Sequence, residues 1–481
     1  MVHMLSQKFK GNIVYAIVSQ CIALCLSILM SLFVPRFFDP TEYAYWQLFI
    51  LYNSYTGMLL FGINDGIYVR IGGKKYEDLD YSSLSALFYV VLTVQILFAV
   101  LISLFSVFFL SDSRKIFIFV AIAFFNVISN MGTYVNYVLQ ATNRTREFSK
   151  SIMINKIAFI ATLIILIVIR TDKFELLVIA YIACQILSNI YCFTKTKSIL
   201  FAKHSPIKEA LRDCMINVKI GLQLMIGYYA GTLITGIARI FIEQRWGLTT
   251  FGQLSFALSL LAFLLLFLGQ ISIVLFPELK MLDYDLQKAY FRKLLKMFDL
   301  LLPLAYMAYI PMNLLLTIWL PKYQSSLYYL AVLFPTCVFE CKMNIICNTY
   351  LKMLRKEAFV LKINILSLLL STLFTITGTY LFSNITIIVY GIAICLYIRN
   401  ILSEAYLLHS MNLKLSLSHF SDLIFAILFI SFINISMTTV AIGMLIAYIA
   451  FYLINRKDVI RILYEIQKRK SNIFQIAKNK R

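Results

Sequence analysis

Long apolar runs alternate with short polar breaks along the whole of this 481-residue chain. Each run is close to the roughly 20 residues that carry a helix across a bilayer. The pattern predicts spans near 12–34, 43–66, 82–110, 116–139, 152–170, 175–194, 218–241, 250–276, 298–320, 326–350, 359–382, 384–409, 420–437 and 438–455, fourteen in all. The break between the last two, at Ser436, Thr438 and Thr439, is the weakest. The runs are continuous rather than ten-residue stretches of alternating hydrophobicity, which excludes a membrane β-barrel. The first run follows Lys8 and Lys10, is too long for a signal-peptide core and lacks a small-x-small cleavage site. It reads as a retained first span.

Lysine and arginine orient the spans. Loops on the side of both termini hold 33 of the 44 Lys and Arg, and the opposite loops hold 7. Lys156, Lys219, Arg239 and Lys342 lie in or at the edge of spans. This bias places both termini in the cytoplasm. The net charge of +21 is then mostly topological, not a sign of nucleic-acid binding. With 61% apolar and 14% charged residues, the composition also excludes a soluble enzyme and a disordered chain. The tail from Arg456 to Arg481 spaces Ile460, Leu463, Ile466 and Ile473 between basic residues. It reads as a helix on a membrane surface held by anionic lipid, with a partner-protein contact as the alternative.

The halves resemble each other at an offset of about 208–210 residues. Phe38-Asp39-Pro40-Thr41-Glu42-Tyr43-Ala44 after the first span parallels Trp246-Gly247-Leu248-Thr249-Thr250-Phe251-Gly252 after the seventh, and Arg146-Glu147 parallels Lys356-Glu357. Six spans per copy is an even number, so both copies enter the membrane in the same sense. Such parallel repeats bound a central cavity. The expected fold is an all-α polytopic membrane protein of about 14 transmembrane helices, two parallel six-helix repeats around a central cavity plus two appended helices. The expected parts are a first bundle (1–194), a cytoplasmic linker (195–217), a second bundle (218–410), the two additional helices (411–455) and the basic tail (456–481).

Charge in hydrocarbon is unfavourable and marks function or a partner. Span ten carries Thr336, Glu340, Asn344 and Asn348, each four apart, and span four carries Asn126, Asn130, Thr133, Tyr137 and Gln140. These spacings put each set on one helix face. The reading is a hydrated wall, against the alternative of interhelical hydrogen bonding. Lys342 is two residues from Glu340, so it points about 200° away. It snorkels, pairs with another helix, or contacts substrate. Span seven carries Gln223, Gly227, Gly231, Thr235, Arg239 and Glu243. Arg239 is the best anion ligand, through its bidentate match to phosphate oxygens, unless it pairs with Glu243 one turn away. Asp65, near Arg70, is either a proton or cation site or a structural partner. Arg36, after Pro35, either lines the outer mouth of a cavity or faces headgroups. Lys156 and Lys219 snorkel by default, with contact to an anionic substrate as the alternative.

The nine cysteines lie mostly within spans, without a CxxC or a histidine at ligand spacing, and read as small buried residues. No phosphate loop, nucleophile elbow or metal motif is present, so no cofactor or metal is expected. Pro303 and Pro311 are expected to kink span nine.

The segment Val34-Pro35-Arg36-Phe37-Phe38-Asp39-Pro40-Thr41-Glu42-Tyr43 resembles the stretch after the first helix of polysaccharide and O-antigen flippases. Gly62-Ile63-Asn64-Asp65-Gly66 with Arg70, Leu139-Gln140-Ala141 with Arg146-Glu147, and Phe276-Pro277-Glu278-Leu279 resemble their second, fourth and eighth helix ends. Ala44 and Tyr45 depart from the glycine expected there. The resemblance implies a member of the multidrug/oligosaccharidyl-lipid/polysaccharide exporter superfamily in a bacterial cytoplasmic membrane. It would move an undecaprenyl-pyrophosphate-linked oligosaccharide, an O-antigen or capsule repeat unit, by ion-coupled alternating access. On that reading Arg239, Lys342, Arg36, Asn126, Asn130, Asn344 and Gln223 contact substrate, and Glu340 or Asp65 couples to ions. Membrane lipids, a polysaccharide polymerase and chain-length machinery are the implied partners. A multidrug exporter of the same superfamily is the nearest alternative; it would want an acidic cavity, whereas the spans show more Lys and Arg than Asp and Glu. A membrane-embedded polymerase is the other alternative, and the short outer loops argue against it.

Overall fold

The computed structural model describes residues 2–280, 282–414, 420–456 and 460. Apart from Arg456 and Ile460, the basic tail lies outside them. Among the described residues the regular structure is entirely helical, and every predicted span has a helical counterpart. Nine helices cross singly by length and apolarity: Ile17–Phe37, Tyr81–Phe109, Ser113–Ala141, Thr145–Val168, Phe174–Lys195, Tyr284–Trp319, Glu357–Leu381, Ile385–Ser410 and Met437–Ile454. The remaining spans are where the apolar pattern hides a discontinuity.

Spans seven and eight form one helical run, Ile207–Lys280, interrupted at Gly247 with φ 83° and ψ 176°. That conformation is open to glycine and strained for other residues. Span two is broken into Pro40–Asn53, a 3₁₀ turn at Thr56–Leu60 and Ile63–Ile71. Span ten bends by 47° between Pro321–Leu333 and Pro335–Met353, because Pro335 cannot donate into the preceding turn. Span thirteen is the short helix Ser421–Ile433. The weak break after it is a reciprocal cap: the Ser436 side chain accepts from Thr439 N at 3.1 Å, and Thr439 Oγ1 accepts from Ser436 N at 3.1 Å. The polar residues that looked like a faint gap therefore start the last helix. Asp39, Asp80 and Asp112 cap spans two, three and four one-sidedly, accepting from Thr41 N, from Ser82 N and Ser83 N, and from Arg114 N. In span nine, Pro303 sits in the 3₁₀ turn Leu302–Leu304 and Pro311 inside the helix Ala305–Trp319.

The chain divides into two compact units, Met1–Phe263 with Glu357–Ile388, and Leu264–Lys356 with Val389–Arg481. Spans seven and eleven fall inside the 218–410 block that the sequence repeat delimits, yet both lie in the first unit. Two buried bonds tie them: Asn364 Nδ2 donates to Gly227 O at 2.9 Å and Ser371 Oγ to Ile234 O at 2.6 Å. The first unit is centred on stacked and edge-on rings of Trp46, Phe49, Phe125, Phe159 and Tyr181. The second has an equivalent cluster of Tyr306, Tyr309, Phe334 and Phe429. Large apolar side chains such as Phe105, Phe108 and Phe109 point outward from span three, as lipid-facing residues do.

Candidate functional site

The break in span two creates a polar site inside the first unit. Between Asn53 and Ile63 the backbone loses its helical partners, and in a bilayer each freed group needs another. The local side chains serve first: Ser54 Oγ donates to Leu51 O at 2.6 Å and Thr56 Oγ1 to Asn53 O at 2.9 Å. Distant amides serve next. Gln95 on span three donates to Leu59 O at 2.8 Å, and Asn130 on span four to Thr56 O at 3.3 Å. Asn126 and Asn130 in turn donate to Gln95 Oε1 at 3.0 and 2.8 Å. Asn126, fully buried, is thus a strut behind the wall, while Asn130 belongs to both wall and strut.

In front of these amides lies a cavity of ≈ 390 Å³. Its polar lining includes Asn53, Asn64, Asp65, Asn130, Thr133 and Tyr137, with Met225 and Tyr229 of span seven opposite. Tyr137 sets its hydroxyl against the Asp65 carboxylate. Asn64 is 3% exposed, and neither its amide oxygen nor its nitrogen has a partner among the described residues. An unsatisfied buried amide is rare and unfavourable, so a polar ligand or water is what this wall is built to receive. Arg70, the basic residue nearest Asp65 in sequence, turns instead to Asp213 and Asn217, both at 3.2 Å.

Arg239 lies elsewhere in the same unit, half-buried on span seven. Its Nε donates to Ser255 Oγ at 3.0 Å and Nη2 to Gln47 Oε1 at 3.3 Å, and the guanidinium lies 5.3 Å from the centre of the Phe251 ring. Glu243, its possible partner from the sequence, is bound by Lys115. Arg239 therefore faces only neutral groups among the described residues. Gln47 is fixed by a 2.6 Å bond to Tyr43 Oη. Gln223 is exposed and outside the cavity lining, and Arg36 is exposed on the one-turn helix Val34–Phe37.

In the second unit, span ten separates its polar residues as the helical period dictates. Glu340, Asn344 and Asn348 form a half-buried ladder, with Asn344 donating to Glu340 at 3.4 Å and Asn348 to Asn344 at 3.1 Å. Glu340 also pairs with Arg399 of span twelve. Lys342 points the other way and is wholly enclosed. Its ammonium lies 2.6 Å from Asp299, 2.8 Å from Glu404 and 3.0 Å from Asp422. Of the readings open to Lys342, the structure selects a pairing inside the protein; no surface is left for a substrate contact. Here three in-span carboxylates surround one lysine.

Sequence reasoning passed over Asn53, Asn64, Gln95, Asp299, Glu404 and Asp422. The last three carried a signal: each falls inside a predicted span, and in-span carboxylates imply a partner. Asn64 carried none, because its isolation depends on the break in span two.

No family model matches the chain, and no curated protein matches it in sequence. Solved structures do match its fold. A lipid II flippase, MurJ, in an inward closed conformation aligns with a TM-score of 0.65 at 13% identity, over 93% of this chain and 99% of that one. An inward-facing multidrug resistance transporter of the MATE family, in the MOP superfamily, gives 0.58 at 12% identity over 82% and 94%. An outward-facing MATE family transporter gives 0.50 at 13% identity over 83% and 95%. At these identities the likeness is one of fold: the chain has the all-helical membrane architecture of the MOP-superfamily transporters.

Proposed function

We propose that this protein is a transporter that moves an anionic, lipid-linked oligosaccharide across a cytoplasmic membrane, with an undecaprenyl-pyrophosphate carrier and both termini in the cytoplasm. The observation that carries the reading is Arg239. It is a cation within a span whose guanidinium, among the described residues, contacts Ser255, Gln47 and the Phe251 face, leaving N–H groups for an anion. The cavity bearing Asn64, Asn130 and Thr133 offers amides and hydroxyls suited to sugar hydroxyls. The flippase among the structural neighbours, whose name gives a lipid-linked substrate, supports the same class. Asp65 and Glu340 are the proposed ion-coupling carboxylates, with Asn344 and Arg36 as further polar contacts. The second reading, a multidrug exporter, rests on the MATE neighbours.

The test is a vesicle assay with the purified full chain. It follows the inward-to-outward movement of a fluorescent polyprenyl diphosphate-linked sugar, beside labelled phosphatidylcholine and an organic cation. Diphosphate-lipid movement above the phosphatidylcholine background is expected. A hydrogen bond to a charged group contributes roughly 1.5–3 kcal/mol, so Arg239→Gln should slow movement by roughly ten- to a hundredfold and Arg239→Lys by less. Movement of the organic cation alone would overturn the reading in favour of the exporter.

A further inference from the structure

The neighbours of Arg239 grip it without neutralising it. A guanidinium carries five N–H groups in a fixed plane. Nε donates to Ser255 Oγ at 3.0 Å and Nη2 to Gln47 Oε1 at 3.3 Å, and these two nitrogens flank the same edge of that plane. The Phe251 ring covers one face, its centre 5.3 Å from the guanidinium carbon. Nη1 makes no hydrogen bond among the described residues. The edge is held from two elements of the first unit: Gln47 belongs to Pro40–Asn53 of span two and Ser255 to span eight, and both are buried. The bonds behind Gln47 have a fixed direction. The Ser259 hydroxyl donates to Phe256 O at 2.8 Å, so its oxygen accepts from Tyr43 Oη at 3.3 Å, and Tyr43 Oη accepts from Gln47 Nε2 at 2.6 Å. With its nitrogen committed to Tyr43, Gln47 presents its oxygen to Arg239. Turning the amide over would set N–H groups against a guanidinium that has only donors. Both acceptors are neutral, and Glu243, one turn along the helix, is bound by Lys115.

We propose that Gln47 and Ser255 are positioning residues for anion binding at Arg239. They lock one edge of the guanidinium so that Nη1 and the second N–H of Nη2 are presented ready-set to the phosphate oxygens of the cargo, and they do so without cancelling the charge. Such preorganisation matters because an arginine carries rotamer freedom that binding would otherwise have to remove. Glutamine at position 47 suits this role. Glutamate has the same shape but would pair with Nη2 and take up the charge that the anion needs. An apolar residue would leave the fork free to turn. Tyr43 acts one step further back, by deciding which end of the Gln47 amide faces Arg239. The inference rests on the reading of Arg239 as an anion site; it adds which residues aim that site and why they are neutral.

The test has two arms, both on the purified full chain: calorimetric titration with inorganic pyrophosphate in detergent, and movement of the diphosphate-linked lipid in vesicles over a range of lipid concentrations. Arg239→Gln should weaken pyrophosphate binding by about ten- to a hundredfold, and Gln47→Glu by as much. Gln47→Met and Ser255→Ala, which only loosen the grip, should weaken it by about two- to tenfold. In vesicles the same variants should raise the half-maximal lipid concentration by these factors and leave the maximal rate nearly unchanged. Gln47→Glu added to Arg239→Gln should change the half-maximal concentration by less than about twofold, whereas a side chain that merely packs spans two and seven would have the same effect in both backgrounds. Ser255→Ala, on another element, guards against a Gln47 variant that fails to fold. Wild-type affinity in Gln47→Glu and Ser255→Ala, or a Gln47→Glu effect that persists without Arg239, overturns the positioning roles and leaves the anion site standing. Equal binding by wild type and Arg239→Gln, or none by either, overturns the anion site and the positioning with it. Binding in the expected order by a protein that moves no diphosphate-linked lipid supports the positioning and discards the proposed cargo.

Discussion

Replacing Gly221 with alanine tests the packing that frames the cavity. Spans two and seven approach backbone to backbone here: a Cβ on Gly221 would lie 1.9 Å from Gly62 O, 2.7 Å from Gly66 N and 2.8 Å from Gly62 C. None of these atoms can swing aside. Gly62 O accepts from Gly66 N at 2.9 Å, and Gly62 itself holds φ at 76°. A tolerable C···O contact is about 3.3 Å, so the helices must part by about 1.4 Å. Overpacking of this kind costs about 1–3 kcal/mol. The same displacement carries Arg70 beyond hydrogen-bonding range of Asn217 and Asp213, now both at 3.2 Å. Arg70 is substantially exposed, so that ion pair adds at most about 1 kcal/mol. The expected loss is about 1–4 kcal/mol. Gly227, six residues along the same helix, is the control: its nearest neighbour is a Leu361 carbon at 3.7 Å, an ordinary contact. Gly227→Ala should be neutral or stabilising by up to about 1 kcal/mol through helix propensity. Unfolding of the purified variants, followed by tryptophan fluorescence and by recovery of the monodisperse peak on size exclusion, reads both. If Gly221→Ala unfolds together with Gly227→Ala and wild type, the close approach of spans two and seven is wrong.

Two further stability predictions address other joints. Lys342→Met removes the ammonium from among three buried carboxylates and should destabilise the protein by about 3–5 kcal/mol; adding Asp422→Asn and Glu404→Gln should restore much of the loss, and a single variant that melts like wild type would refute the cluster. Gly132→Ala places a Cβ 2.1 Å from Asn189 Oδ1 and displaces a side chain that donates to Ile128 O at 2.6 Å and accepts from Gln185 at 2.9 Å. It should cost about 1–3 kcal/mol, and in a double-mutant cycle its effect should shrink once Asn189→Ala is present.

The spans were legible because the bilayer dictates their length and leaves the backbone few alternatives. The helical period was equally readable: two residues apart on span ten sufficed to send Glu340 and Lys342 to opposite faces. Partners were not readable. Nothing near Lys342 in sequence announces Asp299, Glu404 and Asp422, which reach it from spans nine, twelve and thirteen. Arg239 and Glu243 satisfied the rule for a helical pair, yet Lys115 outcompeted Arg239 for the carboxylate, and local spacing cannot rank a partner from another helix. The break in span two was hidden for a related reason. Residues 43–66 are apolar enough to pass as one helix, and the amides that make a break affordable, Gln95 and Asn130, belong to spans three and four.

The carboxylates of the second unit bear on the choice between transporter readings. An excess of acidic groups within spans would suit a carrier of organic cations if those groups faced a space that such a molecule could enter. They do not. Asp299, Glu404 and Asp422 are each at most 2% exposed, closed in behind span ten, and their shared centre is taken by the Lys342 ammonium. A proton can reach such a place through transient openings; a drug-sized cation cannot without dismantling the lysine contacts. The groups that a larger ligand can touch in the first unit are mostly of another kind, amides and hydroxyls around the cavity beside the single carboxylate of Asp65, and a guanidinium at Arg239 that contacts no carboxylate among the described residues. The acidic groups around Lys342 are thus sequestered where only a small ion fits, and basic character that no described carboxylate pairs with sits on the half-buried Arg239. That distribution favours an anionic cargo, and it makes Arg239→Gln the substitution that discriminates most directly: it should impair movement of a diphosphate-linked lipid, whereas a carrier of organic cations should lose nothing when a positive charge is removed.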